Sequence, residues 1–243
     1  MRDTRDMLLV LLSSLLMLTG CSRRDILDDY PVSGVEISLD WNGVTNKLPE
    51  GVRVIFYPKN AEGRKIDTYL SVKGGKVKVP PGRYSVVVYN YDTETVQIRG
   101  EEAYETIEAF TGHCNGLGIA GTEQLVWGPD PLYVVRIDDL KIENSEEELQ
   151  LNWKPKLVVK TYSFKLKVQG LEYVSSIVGS IEGMSSCYDL GLGCGKAGDS
   201  PIYFAARGSA GEVTGSFTVF GTSEGVISRA GNAIKLTLAF VKT

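Results

Sequence analysis

One histidine, His113, and four cysteines, Cys21, Cys114, Cys187 and Cys194, are all that 243 residues offer for imidazole and thiol chemistry. Zinc takes four nitrogen or sulfur ligands at short paired spacings, and one histidine among scattered cysteines does not supply them. Calcium-loop spacing is missing too, so Asp138-Asp139 and the aspartates near residue 28 read as turn and tether charges. His113 and Cys114 are adjacent, and neighbours on an extended strand point to opposite faces. A nucleophile and its base must meet, so these residues imply no catalytic site, no metal and no cofactor. Excess positive charge is also lacking: at a net charge of −4 the chain has no basic face for counterion-release binding, which excludes nucleic acid as a partner. Nor is there a spanning segment, because the apolar run Met7 to Leu18 falls well short of the about 20 residues a membrane helix needs. Gly116-Leu117-Gly118-Ile119-Ala120-Gly121 fits the dinucleotide fingerprint by letter, but no βαβ unit surrounds it, and Pro129 and Pro131 interrupt the region where the next strand would lie. It reads as a flexible loop.

What the short apolar run does resemble is the core of a signal peptide. Its n-region carries Arg2 and Arg5 but also Asp3 and Asp6, and it ends at Leu18-Thr19-Gly20-Cys21. Small residues ahead of a cysteine resemble the bacterial lipobox, in which the thiol takes a diacylglyceryl group and the preceding bond is cut. An ordinary secretory signal that happens to contain a cysteine is the alternative. On the first reading residues 1–20 are removed, Cys21 is the lipid attachment point, and the polar residues 21–34 are a tether. A single acyl chain holds a protein only marginally, whereas bacterial lipoproteins carry two or three. With Cys21 acylated, an odd number of cysteines remains for an oxidising compartment. Cys187 and Cys194 bracket Tyr-Asp-Leu-Gly-Leu-Gly and could close that small loop as a disulfide; free thiols are the other possibility.

With 27 glycines and apolar residues at 43%, the remainder reads as a turn-rich all-β chain. Period-two alternation marks Val35, Ile37, Leu39 and Trp41, then Val52 to Tyr57 up to Pro58. Thr68 to Val72 and Lys76 to Val79 read as a hairpin turned at Gly74-Gly75. Pro80-Pro81-Gly82 reverses the chain into Arg83 to Tyr91. Glu101 to Phe110 is the one segment with helical spacing, with Tyr104, Ile107 and Phe110 on one side. Leu132 to Ile137 and Leu149, Leu151 and Trp153 are further strands. A boundary is expected near Lys154-Pro155-Lys156, dividing an N-terminal β-sandwich, 35–155, from a C-terminal one, 156–243. In the second, Tyr162, Phe164, Leu166 and Val168, then Val213, Phe217 and Val219, then Ile234, Leu236, Leu238 and Phe240 are expected to face a core. Trp41, Trp127 and Trp153 are candidate sugar-stacking residues, though such residues are mostly core.

Two stretches carry a family resemblance. Gly51-Val52-Arg53-Val54-Ile55-Phe56-Tyr57-Pro58, followed by Pro80-Pro81-Gly82-Arg83-Tyr84 through Thr93, resembles the first domain of fimbrillin-like lipoproteins of Bacteroidales, a group that includes fimbrial anchor and accessory subunits. Gly179-Ser180-Ile181-Glu182-Gly183-Met184 and Phe217-Thr218-Val219-Phe220-Gly221 extend the similarity into the second half. The resemblance implies transthyretin-like β-sandwich domains, an outer-membrane lipid anchor, and assembly with other fimbrial subunits by strand exchange. The expected function is a non-enzymatic structural or adhesion protein of a cell-surface fimbria that binds other subunits through sheet edges. The alternative is an outer-membrane lipoprotein that binds a glycan or host ligand. The last strand, Ile234 to Val241, is followed only by Lys242-Thr243, so an edge there lacking a sheet partner is also expected.

Cys21→Ala is expected to abolish incorporation of labelled fatty acid and to leave the chain soluble or as uncleaved precursor. Label retained in the variant overturns the anchor assignment.

Overall fold

The computed structural model describes residues 33–60, 63–114, 124–196, 200–221 and 234–240, all of them in the unit Val32–Thr243. Strands dominate, and three sheets organise them. The largest is built from β1 (Ser33–Leu39), β2 (Gly51–Pro58), β3 (Ile66–Ser71), β4 (Gly74–Val79), β5 (Gly82–Asn90), β8 (Tyr133–Ile142), β9 (Leu149–Trp153) and β10 (Lys156–Leu157), in the order β10-β8-β5-β2-β3-β4-β1-β9. Within it β3 and β4 pair only at Ser71↔Gly74, so the sheet turns a corner there. Val35 and Ile37 of β1, Val77 and Val79 of β4, Val54 and Phe56 of β2, Val86 and Val88 of β5 and Trp153 of β9 then share one core. Alternation works here because these strands bury one face each on that core.

The corner also corrects the expected hairpin. The turn residues are Val72 and Lys73, and Gly74 already lies in β4. Gly74 has φ +100°, and a Cβ on it would lie 2.0 Å from the Ile37 carbonyl oxygen. Glycine is required at 74 for its positive φ, directly after the turn, and also for the close approach of β1.

The second sheet is formed by β6 (Val96–Arg99), β7 (Glu108–Thr111), β13 (Cys187–Asp189) and β14 (Cys194–Lys196), ordered β14-β13-β7-β6. It draws strands from both sides of residue 155. It packs on the large sheet through Ile55, Tyr57, Val87, Tyr89, Ile107, Ala109, Leu132 and Leu190. The helix expected over Glu101 to Phe110 is therefore absent. Thr106 and Ile107 both donate to the Ala103 carbonyl at 3.2 Å, closing one turn, after which the chain extends as β7. Pairing with β6 and β13 outweighs a short local helical pattern, and the buried Ile107 and Ala109 alternate as a strand requires.

The third sheet runs β11-β16-β15-β12-β17, from β11 (Lys160–Lys167), β12 (Val174–Ile181), β15 (Ile202–Ser209), β16 (Glu212–Val219) and β17 (Ile234–Phe240). The protein is thus all-β, with its sheets stacked into sandwich-like layers.

Phe56 is fully buried with its ring edge-on to Tyr84 at 6.0 Å. Phe56→Ala is expected to destabilise the fold by about 3–5 kcal/mol, read as a lowered urea midpoint at unchanged slope.

Candidate functional site

Register gives the third sheet one apolar face. Tyr162, Phe217, Phe204, Gly179 and Leu236 form a row across it, and Phe164, Gly215, Ala206, Ile177 and Leu238 form the next. Along these rows the rings run Tyr162 to Phe217 (5.7 Å, stacked), Phe217 to Phe204 (5.4 Å) and Phe204 to Phe164 (5.4 Å). Phe204 lies over Gly179 and Phe164 over Gly215, where a Cβ would sit within 2.5 and 2.6 Å of the rings. Among the described residues, Val126 and Met184 are what packs onto this face from outside the sheet. The face differs from the expected one at its margins: Tyr162 and Leu166 on β11 and Ile234 on β17 are exposed rather than buried. Both are edge strands, each hydrogen-bonded on one side only among the described residues.

The second sheet carries an ionic cluster on its outward side. Register places Arg99, Glu108, Asp189 and Cys194 in one row and Gln97, Phe110, Cys187 and Lys196 in the next. Lys196 Nζ bonds Glu108 Oε2 at 2.7 Å and Asp189 Oδ2 at 3.1 Å. Arg99 bonds the other Glu108 oxygen and lies over the Phe110 ring, 4.5 Å from its centroid. Burial pushes the Glu108 carboxyl up, but hydrogen bonds from Lys196 and Arg99 outweigh it, and the group lies below its ordinary range. The same bond raises Lys196. Glu108 fell inside the expected helix; the signal that exposes it as a strand residue is the alternation of Ile107 and Ala109 around it.

Cys187 and Cys194 stand on paired strands on the same side, one register step apart: Cys187 opposes Lys196, and Cys194 opposes Asp189. Cys114 is buried, which pushes its thiol up, while His113 is exposed. Trp153 is core, and Trp41 donates from Nε1 to the Val72 carbonyl at 2.6 Å and packs against Tyr133. Trp127 is exposed, edge-on to Tyr203. Cys21 and the loop Gly116 to Gly121 lie outside the described residues. A cleft of about 700 Å³ is lined by Tyr57, Lys65, Ser85, Tyr104, Asp138 and Leu192 among others. Its polar groups are engaged with one another: Tyr57 Oη donates to the Glu101 carbonyl, and Tyr104 Oη and Arg136 donate to Asp138. Among the described residues no cluster of metal-ligating side chains occurs, and no helix is long and apolar enough to cross a membrane.

Stacked β-sheets define the fold class of this chain, and comparison with known proteins gives its family. Residues 20–205 match the family described as Domain of unknown function (DUF5119), and the chain belongs to it. Over the whole chain it is 63% identical to 77% of a Bacteroides ovatus protein named "Putative fimbrium anchoring subunit Fim4B". A crystallised Bacteroides ovatus protein described as an adhesin superposes with a TM-score of 0.80 at 60% identity, over 93% of this chain and 84% of that one. The fimbrial anchor protein Mfa2 of Porphyromonas gingivalis shares the fold at 12% identity, with a TM-score of 0.55 over 85% of this chain and 77% of its own.

The ionic cluster sets a stability dependence on pH. Because the Glu108 carboxyl is depressed in the folded state, its contribution is present above the ordinary carboxylate range and lost as pH falls through the lower folded value. Lys196→Met leaves two buried carboxylates short of a partner. The expected loss lies near the lower end of the about 3–5 kcal/mol typical of broken buried pairs, since Lys196 itself is 39% exposed. Urea titrations at pH 7 and pH 3 check this: the gap between variant and wild type should narrow at the lower pH.

Proposed function

We propose that the chain is a lipid-anchored subunit of a cell-surface fimbria, in the anchoring or accessory position, that binds neighbouring subunits through the open edge at β11. The observation that carries this reading is the 63% identity, over the whole chain, to a protein named as a fimbrium anchoring subunit. The edge supplies the physical means. A strand hydrogen-bonded on one side offers N–H and C=O groups to an incoming strand, and pockets for alternate side chains give specificity. On β11 the exposed Tyr162 and Leu166 flank the half-buried Phe164, so an added strand would cover apolar side chains as well as backbone. In this reading Cys21 carries the acyl chains in the outer membrane, the large and second sheets form the sandwich nearest the tether, and the third sheet presents the subunit-binding edge.

Lys160, Lys165 and Lys167 lie on β11, which makes a lysine-reactive crosslinker on intact cells a direct test. Crosslinks from these lysines to other fimbrial subunits are expected. The double variant Tyr162→Glu/Leu166→Glu should lower their yield at least about tenfold, as loss of interface anchors does, with the melting temperature within a few degrees of wild type. Crosslinks confined to the chain itself, or yields untouched by the double variant, overturn the edge assignment.

A further inference from the structure

The outward face of the large sheet, away from the edge at β11, holds an exposed aromatic corner. Tyr69 on β3 is 61% exposed and Tyr91, just past β5, is 44% exposed. Their ring centroids are 5.3 Å apart and the planes cross at 80°. Gly51 makes the meeting possible. It starts β2 opposite Ser71, and a Cβ on it would fall 2.7 Å from Tyr91 Oη and 3.0 Å from Cε1. Tyr91 therefore lies down across the bare glycine until it reaches Tyr69. One ring forms a floor and the other a wall. The two tyrosines stay open on a strand surface, where a larger residue at position 51 would have separated them.

What surrounds the corner is polar and held rigid. Arg53 Nε and Nη2 donate to the two oxygens of Asp67 at 2.9 and 2.7 Å. Its Nη1 donates to Tyr89 Oη at 2.9 Å, and Nη1 and Nη2 both reach the Glu101 carboxylate. The guanidinium also sits 5.5 Å from the Tyr69 ring centroid. All its donors are therefore committed, and it acts as a spine that fixes two carboxylates beside the rings. Carboxylate oxygens accept more than one hydrogen bond, so Asp67 and Glu101 keep acceptor capacity toward solvent.

We propose that this corner is a binding site for a neutral saccharide. A pyranose ring presents C–H groups on its faces and hydroxyl donors around its rim. The aromatic surface left exposed on the two rings meets the first, and the fixed carboxylates accept from the second without further ordering cost. Charge decides against other ligands. One guanidinium between two carboxylates offers an anion no net attraction, and Arg53 already occupies the cation-accepting position over Tyr69. A protein partner is disfavoured because Asp and Glu are depleted at interface centres, whereas Arg53, beside Tyr69, holds both Asp67 and Glu101. The site does not depend on the subunit-binding reading, since it lies on a different sheet from β11.

The test is an array of cellotetraose, xylotetraose, mannotetraose and galactotetraose with 3′-sialyllactose as the charged comparator, probed with the detergent-solubilised full chain. At least one neutral tetrasaccharide is expected to bind. Tyr69→Ala and Tyr91→Ala should each weaken it about tenfold or more, and the double variant should abolish it. Tyr69→Phe should retain binding, and Tyr162→Ala on β11 should leave it unchanged. Saturation-transfer NMR on the bound sugar should place its ring C–H protons against tyrosine. The proposal is overturned if no neutral tetrasaccharide binds, if only sialyllactose does, or if a bound sugar is indifferent to the double variant at unchanged melting temperature. Loss of crosslinking to fimbrial subunits in that variant, without any saccharide binding, would show a protein contact instead.

Discussion

One ammonium group ties together strands from the two halves of the chain. Lys196 on β14 reaches Glu108 on β7 and Asp189 on β13, and these strands come from sequence segments almost eighty residues apart. A buried carboxylate is costly unless paired. Without Lys196 the register that sets Asp189 opposite Glu108 would place two buried like charges side by side. With it, the same register is the one in which both are satisfied and Arg99 can close the row from β6. The apolar side of this sheet, through Ile107, Ala109 and Leu190, is then held on the large sheet. The ionic side contributes specificity of pairing, and the apolar side supplies most of the burial energy.

That division explains which elements can be seen in the sequence. A strand that buries one face on a single core, such as β1, shows its alternation plainly, because each polar residue in the pattern faces out, whereas β2 and β5, buried on both faces, read as near-continuous apolar runs. β7 does not show its alternation plainly, since its outward residue Glu108 is buried and charged, and two residues from other strands, Arg99 and Lys196, satisfy it. Read alone, Tyr104, Ile107 and Phe110 look like a helical face. The parallel pairing of β1 with β9, Val35 beside Leu149 and Leu39 beside Trp153, is equally hidden. No local rule links segments so distant in sequence. At Gly74-Gly75 the need for a positive φ is legible and holds at Gly74, but a second constraint is not: the Ile37 carbonyl from another strand.

The same limit applies to surfaces. Tyr162 and Leu166 alternate as buried residues do, and they do share a face with Phe204 and Phe217. Their exposure follows from position at the end of the strand order, which alternation does not encode. Alternation reports which side a residue faces; only sheet order reports how much covers it. An apolar face ending in an edge strand is a liability in a solitary protein and an asset in one that assembles.

The aromatic corner illegible in the sequence rests on the opposite situation. Tyr69 and Tyr91 look like ordinary strand tyrosines, and the tryptophans are the more conspicuous aromatics, yet Trp41 and Trp153 are consumed by packing. What distinguishes the tyrosines is the missing side chain of Gly51, over which Tyr91 lies, together with Arg53, which sits beside Tyr69 and pairs with Asp67 and Glu101. Because the large sheet turns its corner at Ser71 and Gly74, the β3 end of its outward face extends free of the second sheet's core contacts, which run through Ile55, Tyr57, Val87 and Tyr89. An edge for neighbours at β11 and an open polar-aromatic surface at β3 therefore sit on separate sheets, so occupying one need not block the other.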